Sequence, residues 1–124
     1  MKDLKGKNVL ITGAAAGIGR LMAHEFAKKG SNVALLDIDE KLLKRTEEEL
    51  KRYGVTVYSD TCDISDEQKV AAAAKAVKKN FGEVDVLVNN AGIVVGKNFL
   101  DISLKEFKRT IDVNFMGTVM MTKQ

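Results

Sequence analysis

The chain has 124 residues, of which 45% are hydrophobic and 30% are charged. This length and composition are typical of a globular domain with an apolar core, and these 124 residues hold at most one such domain. The 20 basic and 17 acidic side chains leave a net charge of only +3. The lysines are dispersed along the chain, so we predict no nucleic-acid partner.

Membrane and metal signals are absent from the sequence. No stretch approaches the roughly 18 apolar residues that a membrane span needs, and we predict none. The single cysteine, Cys62, cannot form an internal disulfide, which favours a reducing, cytoplasmic location. No cluster of histidine, cysteine and acidic residues surrounds Cys62, so we predict no metal site and interpret the side chain as a small apolar filler.

Short apolar runs alternate with longer stretches of helical period four times along the chain. The predicted strands are residues 8–11, 32–36, 55–59 and 84–88. Three of them are nearly continuous in apolar residues, as in strands covered on both faces, whereas the third alternates like a half-exposed edge strand. Four apolar stripes predict amphipathic helices: Ile18, Met22 and Phe26; Leu43, Thr46 and Leu50; Val70, Ala74, Val77 and Phe81; and Leu104, Phe107, Ile111 and Phe115.

The predicted helix ends carry recognisable capping residues. Gly30, Gly54 and Gly82 stand where the first three helices should end. Ser65 or Asp66 is the expected cap of the third helix, and Ser103 with Glu106 predicts a capping box for the fourth. The fourth helix should run without interruption from Leu104 towards Gln124.

A glycine-rich turn follows the first predicted strand and opens a helix. Gly13, Gly17 and Gly19 allow unusual backbone angles and a close approach to a pyrophosphate, which the N–H groups of the helix N-terminus can bind. No Gly-Lys-Ser/Thr follows, so a nucleoside triphosphate loop is not expected. The alternative interpretation is a simple tight turn.

Asp37 closes the second predicted strand, 18 residues after Gly19. An acid there can accept hydrogen bonds from both ribose hydroxyls of an adenosine and repels a 2′-phosphate. Ala15, Ala16 and Ile38 offer no basic group for such a phosphate, so we predict NAD rather than NADP. The alternative is a turn-forming acid beside Asp39.

Polar residues also follow the third and fourth predicted strands. Asp63 could reach an adenine amino group, or it could cap the next helix. The run Asn89-Asn90-Ala91-Gly92 suits hydrogen bonds to loop backbones and to a ribose, or forms a plain turn. Asn114 lies among apolar residues, so we expect a partly buried amide bonded to backbone groups or to a water. His24 is expected on the surface.

The string Thr12-Gly13-xxx-Gly17-Ile18-Gly19, followed in order by Asp37, Asp63, the Asn89-Asn90-Ala91-Gly92 run and Asn114, resembles the short-chain dehydrogenase/reductase family. The resemblance covers the N-terminal half of that family's usual chain. It implies NAD(P) at the turn of residues 13–19 and adenine near Asp63 and Ile64. It also implies ribose contacts around Asn90, with Ala91 and Gly92, and Asn114 as the first member of a catalytic tetrad that holds a relay water.

The remaining tetrad members of that family, a serine and a Tyr-xxx-Lys pair, are not found after Asn114. Tyr53 is followed four residues later by Val57, and Tyr58 by Cys62. We therefore expect residues 1–124 to be one dinucleotide-binding domain, truncated before the Tyr-xxx-Lys segment. The parent would transfer hydride between nicotinamide and a small alcohol or ketone. The alternative is a non-catalytic dinucleotide-binding or assembly module.

These observations together predict a Rossmann-like α/β fold. It should have a parallel sheet in the strand order 3-2-1-4, with helices on both faces, and be incomplete beyond the fourth strand. The apolar edge of residues 84–88 would then lack a partner strand, from which we expect a homo-oligomer.

Overall fold

The computed structural model describes residues 3–124, and within them the strands form one parallel sheet in the order β3-β2-β1-β4. The strands are β1 (Asn8–Thr12), β2 (Asn32–Asp37), β3 (Val57–Thr61) and β4 (Val86–Val88). The predicted fold class and strand order are confirmed. The third strand begins two residues later than predicted and runs to Thr61, and the fourth is shorter than predicted.

Helices lie on both faces of this sheet. They are α1 (Gly17–Lys28), α2 (Glu40–Leu50), α3 (Glu67–Asn80), α4 (Leu104–Ile111) and α5 (Gly117–Thr122), with short 3₁₀ turns at Lys51–Tyr53 and Phe99–Asp101. The helical path predicted after Leu104 continues without a break to Thr122, but a π-helical turn, Asp112–Met116, lies within it between α4 and α5. Such a turn accommodates an extra residue, and it contains Asn114.

The helix ends follow the capping residues of the sequence. Gly30, Gly54 and Gly82 all have positive φ, as expected of residues that end a helix. Asp66, one of the two expected caps, accepts a hydrogen bond from the Lys69 N–H at the start of α3. Ser103 accepts one from the Glu106 N–H at the start of α4.

The core lies on both faces of the sheet. On one face, Val9, Ile11, Val33 and Leu35 pack against buried residues of α1 and α2: Ala23, Ala27, Leu43 and Leu50. On the other, Leu10, Ala34 and Leu36 pack against Cys62, Ile64, Val70, Ala73, Val77, Val113 and Met121. Because successive residues of a strand point to opposite faces, a sheet covered twice requires the continuous apolar runs of β1 and β2.

Two of the predicted apolar stripes are not buried as a core face should be. The stripe of α2 is buried, but Ile18 at the start of α1 is 71% exposed. On the last stripe, Leu104, Ile111 and Phe115 are 86%, 54% and 64% exposed. The last stripe does lie on a helix, as predicted. However, no element within residues 3–124 covers the face that carries these three side chains.

None of the helices in the described part of the chain combines the length and the apolar composition needed to cross a membrane.

Candidate functional site

The carboxyl ends of the parallel strands meet at one edge of the sheet, where they surround a cavity of about 130 Å³. Six of the predicted site residues line it: Gly13, Asp37, Asp63, Ile64, Ala91 and Gly92. Gly17, Ile18, Gly19, Asn90 and Asn114 lie outside the lining. A crevice at this edge, between β1 and β4, is where parallel α/β sheets bind ligands, because the strand order reverses there.

Gly17 and Gly19, in the first turn of α1, have different surroundings. A Cβ built at Gly19 would overlap the Gly13 carbonyl oxygen and crowd the Asn90 side-chain amide, so Gly19 allows the two loops to approach closely. Gly17 has φ +57°, a backbone conformation that favours glycine, and a Cβ built there meets nothing within 4 Å. The turn is therefore closely packed at Gly19 and open at Gly17.

The N-terminus of α1 is available to an anion. Ala16 precedes the helix, no side chain caps it, and the first turn contains no acidic residue. The first N–H groups of a helix have no partner within the helix, and they lie at the positive end of its dipole. This terminus, beside the open space at Gly17, provides the donors that a phosphate group requires.

The Asp37 carboxylate is fixed at the end of β2 by two backbone donors. The Ala15 N–H lies 3.0 Å from Oδ2, and the Asp39 N–H lies 3.0 Å from Oδ1. Asp37 therefore forms the turn that was considered as an alternative, and it also faces the cavity. Each carboxylate oxygen can accept more than one hydrogen bond, so both remain able to bind ribose hydroxyls.

Asp63 follows β3 and is held by Ser65 and by a residue from α4. Its Oδ1 accepts hydrogen bonds from Ser65 N (3.0 Å) and Ser65 Oγ (2.7 Å), and its Oδ2 lies 3.4 Å from Arg109 Nη2. Burial alone would raise the pKa of this carboxyl, but the Ser65 hydrogen bonds and the Arg109 guanidinium outweigh it and lower the pKa. Because Asp66 caps α3, Asp63 is not the helix cap.

Ile64 packs beneath the cavity against the helix that follows the π turn. It is buried, and a Cβ added to Gly117 would lie 2.6 Å from its Cδ1. Cys62 is buried beside it, and this burial, with the nearby Asp60, Asp63 and Asp66 carboxylates, raises the pKa of its thiol to about 11. Both side chains contribute apolar surface to the lining.

Asn90 joins the loop after β4 to the glycine turn. Its Nδ2 donates to the carbonyl oxygens of Thr12 (3.1 Å) and Gly13 (3.2 Å). The backbone N–H groups of Asn90 and Ala91 both donate to Thr12 Oγ1, at 3.1 and 3.0 Å. Thr12 is therefore the centre of this junction, a role that its place in the Thr12-Gly13-xxx-Gly17-Ile18-Gly19 string did not specify. Its burial, 1% exposed, follows from these contacts.

Asn114 was expected to be partly buried, and this prediction is wrong because the residue is exposed. Its amide makes two hydrogen bonds with the backbone of Ile93: Oδ1 accepts from the N–H and Nδ2 donates to the carbonyl, both at 2.8 Å. The backbone is thus the partner of the side chain. The π turn holds Asn114 beside the loop that follows β4.

The surface location predicted for His24 is also wrong. Its side chain is 14% exposed, and it lies between α1 and α2 with Nδ1 3.1 Å from the Tyr53 hydroxyl and Nε2 3.0 Å from Glu49 Oε2.

Arg109 is another residue that sequence reasoning missed. It stands 46 positions after Asp63, on a helix whose place relative to β3 no local pattern encodes. Among residues 3–124 no group of three or more His, Cys, Asp or Glu could hold a metal ion.

Comparisons with known proteins agree with this geometry. The family model for short chain dehydrogenase matches residues 7–124. Epidermal retinol dehydrogenase 2 from Mus musculus is 41% identical over 123 residues, which are 98% of this chain and 40% of that protein. The chain therefore spans less than half the length of this relative.

Solved structures show the same fold. NAD⁺-bound xylitol dehydrogenase superposes with a TM-score of 0.93 at 32% identity, over 98% of this chain and 47% of that one. L-sorbose reductase from Gluconobacter frateurii, complexed with NADPH and L-sorbose, superposes with a TM-score of 0.92 at 28% identity, over 98% and 46%. With the family model matching almost its whole length, this chain belongs to the short-chain dehydrogenase family.

Proposed function

We propose that this chain is the dinucleotide-binding domain of an oxidoreductase that transfers hydride between nicotinamide and a small alcohol or ketone. The observation that carries the proposal is the uncapped N-terminus of α1 with open space at Gly17, on the same turn as Gly13, which lines the cavity together with Asp37 and Asp63. The bound NAD⁺ of xylitol dehydrogenase, a relative of the same fold, supports it. The nicotinamide, when bound, supplies the site that accepts or donates hydride.

Each part of the dinucleotide has a matching group on the chain. The pyrophosphate would lie against residues 13–19, where Gly17 leaves space and Ile18 flanks the helix N-terminus. Asp37 would bind the adenosine ribose. Adenine would lie between Asp63 and Ile64, and the backbone of Asn90, Ala91 and Gly92 would face the second ribose.

The cofactor in this proposal is NAD rather than NADP. Asp37 is an ionisable acid at the end of β2, held in place by two backbone donors, and it would repel a 2′-phosphate. Ala16 follows Ala15, whose N–H bonds to Asp37, and Ile38 follows Asp37 itself. Both are exposed and uncharged, so neither offers a cation to a 2′-phosphate. The NADPH complex of L-sorbose reductase shows that the same fold also accepts the phosphorylated cofactor, so this choice depends on Asp37.

Calorimetric titration with NADH and, separately, with NADPH tests the proposal. We expect the wild-type chain to bind NADH more tightly, and Asp37→Asn to lose about tenfold in NADH affinity while its preference over NADPH narrows. Asparagine keeps an acceptor oxygen for only one of the two N–H groups, of Ala15 or of Asp39, so thermal unfolding of the variant checks that the turn persists.

Asp39→Asn is the matched control, because Asp39 caps α2 through the Leu42 N–H and asparagine is an equally good cap. Its NADH affinity should equal that of the wild type. Equal wild-type affinity for the two cofactors would refute the NAD preference. If neither cofactor binds, the dinucleotide-binding function itself is wrong.

Asn114 is proposed as a member of the catalytic machinery, acting on the loop through the two Ile93 hydrogen bonds. That loop forms one wall of the cavity through Gly92 and Ile93. In this proposal the serine and the Tyr-xxx-Lys pair that would move the proton lie outside residues 1–124. Residues 1 and 2 of the proposed domain lie outside the described residues.

We further propose that the protein is a homo-oligomer. The apolar side chains of Leu104, Ile111 and Phe115 are exposed on one side of the last helical segment, and within residues 3–124 β4 pairs only with β1. Size-exclusion chromatography with light scattering should show a dimer or larger species, and Ile111→Lys with Phe115→Glu should shift it towards the monomer. A wild-type monomer at high concentration would contradict this.

A cytoplasmic location remains a proposal based on the unpaired, buried Cys62.

A further inference from the structure

We propose that Arg109 is a positioning residue for adenine recognition, which fixes the Asp63 carboxylate so that the cavity favours a purine with an amino group at C6. The inference rests on the proposed dinucleotide-binding function. It adds to that site a residue of α4, a helix that none of the glycine or strand-end motifs includes.

The geometry places the Arg109 guanidinium against two neighbours of the cavity. Its Nη1 donates to Ser65 Oγ, and its Nη2 lies 3.4 Å from Asp63 Oδ2. Arg109 also lines the cavity itself, together with Asp63, Ile64 and Asp37. One planar side chain from α4 therefore spans the loop that follows β3 and forms part of the cavity wall.

The hydrogen bonds form a directed chain. Ser65 Oγ accepts from Arg109, so its own proton is left to donate to Asp63 Oδ1 at 2.7 Å. The Ser65 N–H donates to the same oxygen at 3.0 Å. Donors on both oxygens restrict rotation of the carboxylate. Its side chain is 22% exposed, and the acceptor capacity that remains is available to the cavity.

A fixed, ionised carboxylate only accepts hydrogen bonds. The amino group at C6 of adenine is a donor and matches it, whereas the oxygen at C6 of hypoxanthine would face it acceptor to acceptor. If the carboxylate could rotate, or if it lost its partner cation, this difference between the two bases would become smaller. Arg109 would in this way act on base selection without forming the base contact itself.

The experiment compares NADH with reduced nicotinamide hypoxanthine dinucleotide, whose base has an oxygen in place of the C6 amino group and a proton on N1. Both affinities are measured calorimetrically for the wild type, Asp63→Asn, Arg109→Met and Arg109→Lys. Lys108→Met is the matched control, since Lys108 is an exposed basic residue in the same helical turn and does not line the cavity.

We expect the wild type and Lys108→Met to bind NADH about tenfold more tightly than the hypoxanthine dinucleotide. For Arg109→Met this ratio of affinities should fall to about threefold or less. Arg109→Lys should be intermediate, because a lysine can serve one of the two acceptors but lacks the planar fork. Asp63→Asn should abolish the preference. Thermal unfolding of each variant checks that the chain remains folded.

The ratio of the two affinities separates positioning from a merely structural role. If Arg109→Met weakens both dinucleotides equally, the proposal is overturned, and so it is if the wild type does not discriminate between the bases. If the wild type binds neither dinucleotide, the proposed function fails first and this inference fails with it.

Discussion

The layer formed by β1, β2, α1 and α2 and the segment that follows β4 are both rich in apolar residues, but the first buries a larger share of them. Val9, Ile11, Val33 and Leu35 are 0% exposed. In the second region, Val94, Leu100 and Leu104 are 89%, 92% and 86% exposed. Apolar content therefore does not decide burial. A side chain is buried where a second element covers it: the sheet and α3 cover Val113 and Met121 of the second region, but nothing within residues 3–124 covers Leu104.

The two regions share the core on one face of the sheet, where Val113 and Met121 pack with Leu10 and Leu36. Across the candidate site they are joined by Asn90, whose side chain bonds to the glycine turn. The loop that follows β4 forms one wall of the cavity, and it is held by hydrogen bonds at Asn90 and between Ile93 and Asn114. Elements with few buried contacts open more readily than core strands, so this wall is the more adaptable.

The largest contrast between the regions should appear in a pair of leucine truncations. Leu43 of α2 is 1% exposed and Leu104 of α4 is 86% exposed. Leu43→Ala should lower the free energy of unfolding by about 2–5 kcal/mol, because it removes buried contacts and leaves a cavity. Leu104→Ala should change it by less than about 0.5 kcal/mol. Urea denaturation measures both, and equal losses would refute the contrast in burial.

A smaller effect is expected where the two regions touch. Gly19→Ala places a Cβ onto the Gly13 carbonyl and the Asn90 amide, so the turn or the loop must move. We expect a loss of about 1–3 kcal/mol in the free energy of unfolding, together with loss of NADH binding. The matched control is Gly96→Ala, since a Cβ at Gly96 meets nothing within 4 Å and its φ is not positive. If Gly19→Ala retained full stability and binding, the close packing of the two loops would not matter.

The sequence predicted the first region better than the second for physical reasons. Strand order, the glycine turn and Asp37 follow from local signals: hydrophobic period, turn chemistry and the position of an acid at a strand end. The contacts of Thr12, Arg109 and His24 depend on residues 25 to 79 positions away, which no local period encodes. The stripe of Leu104, Ile111 and Phe115 marked a helix but could not show whether anything covers it.

The smallest effect belongs to Glu49, which joins α1 to α2 in the first region. Its carboxylate accepts a hydrogen bond from Arg20 Nε at 2.9 Å and lies 3.0 Å from His24 Nε2. Burial alone would raise the pKa of this carboxyl, but the His24 and Arg20 contacts outweigh it and lower the pKa below the ordinary value of 4.5. Folding therefore favours the ionised form. The stabilisation is present above about pH 4.5 and is lost as the pH falls through the folded-state pKa.

Glu49→Gln should accordingly lower the free energy of unfolding by about 1 kcal/mol or less near neutral pH, because the ion pairs are partly exposed. The difference from the wild type should shrink as the pH falls from about 6 to about 3, as followed by urea denaturation at each pH. Glu48→Gln is the matched control on the same helix, since its carboxylate is 70% exposed and pairs only with Lys51. A difference between wild type and Glu49→Gln that stayed constant over this range would mean that the carboxylate stabilises the α1–α2 contact by packing and not by its charge.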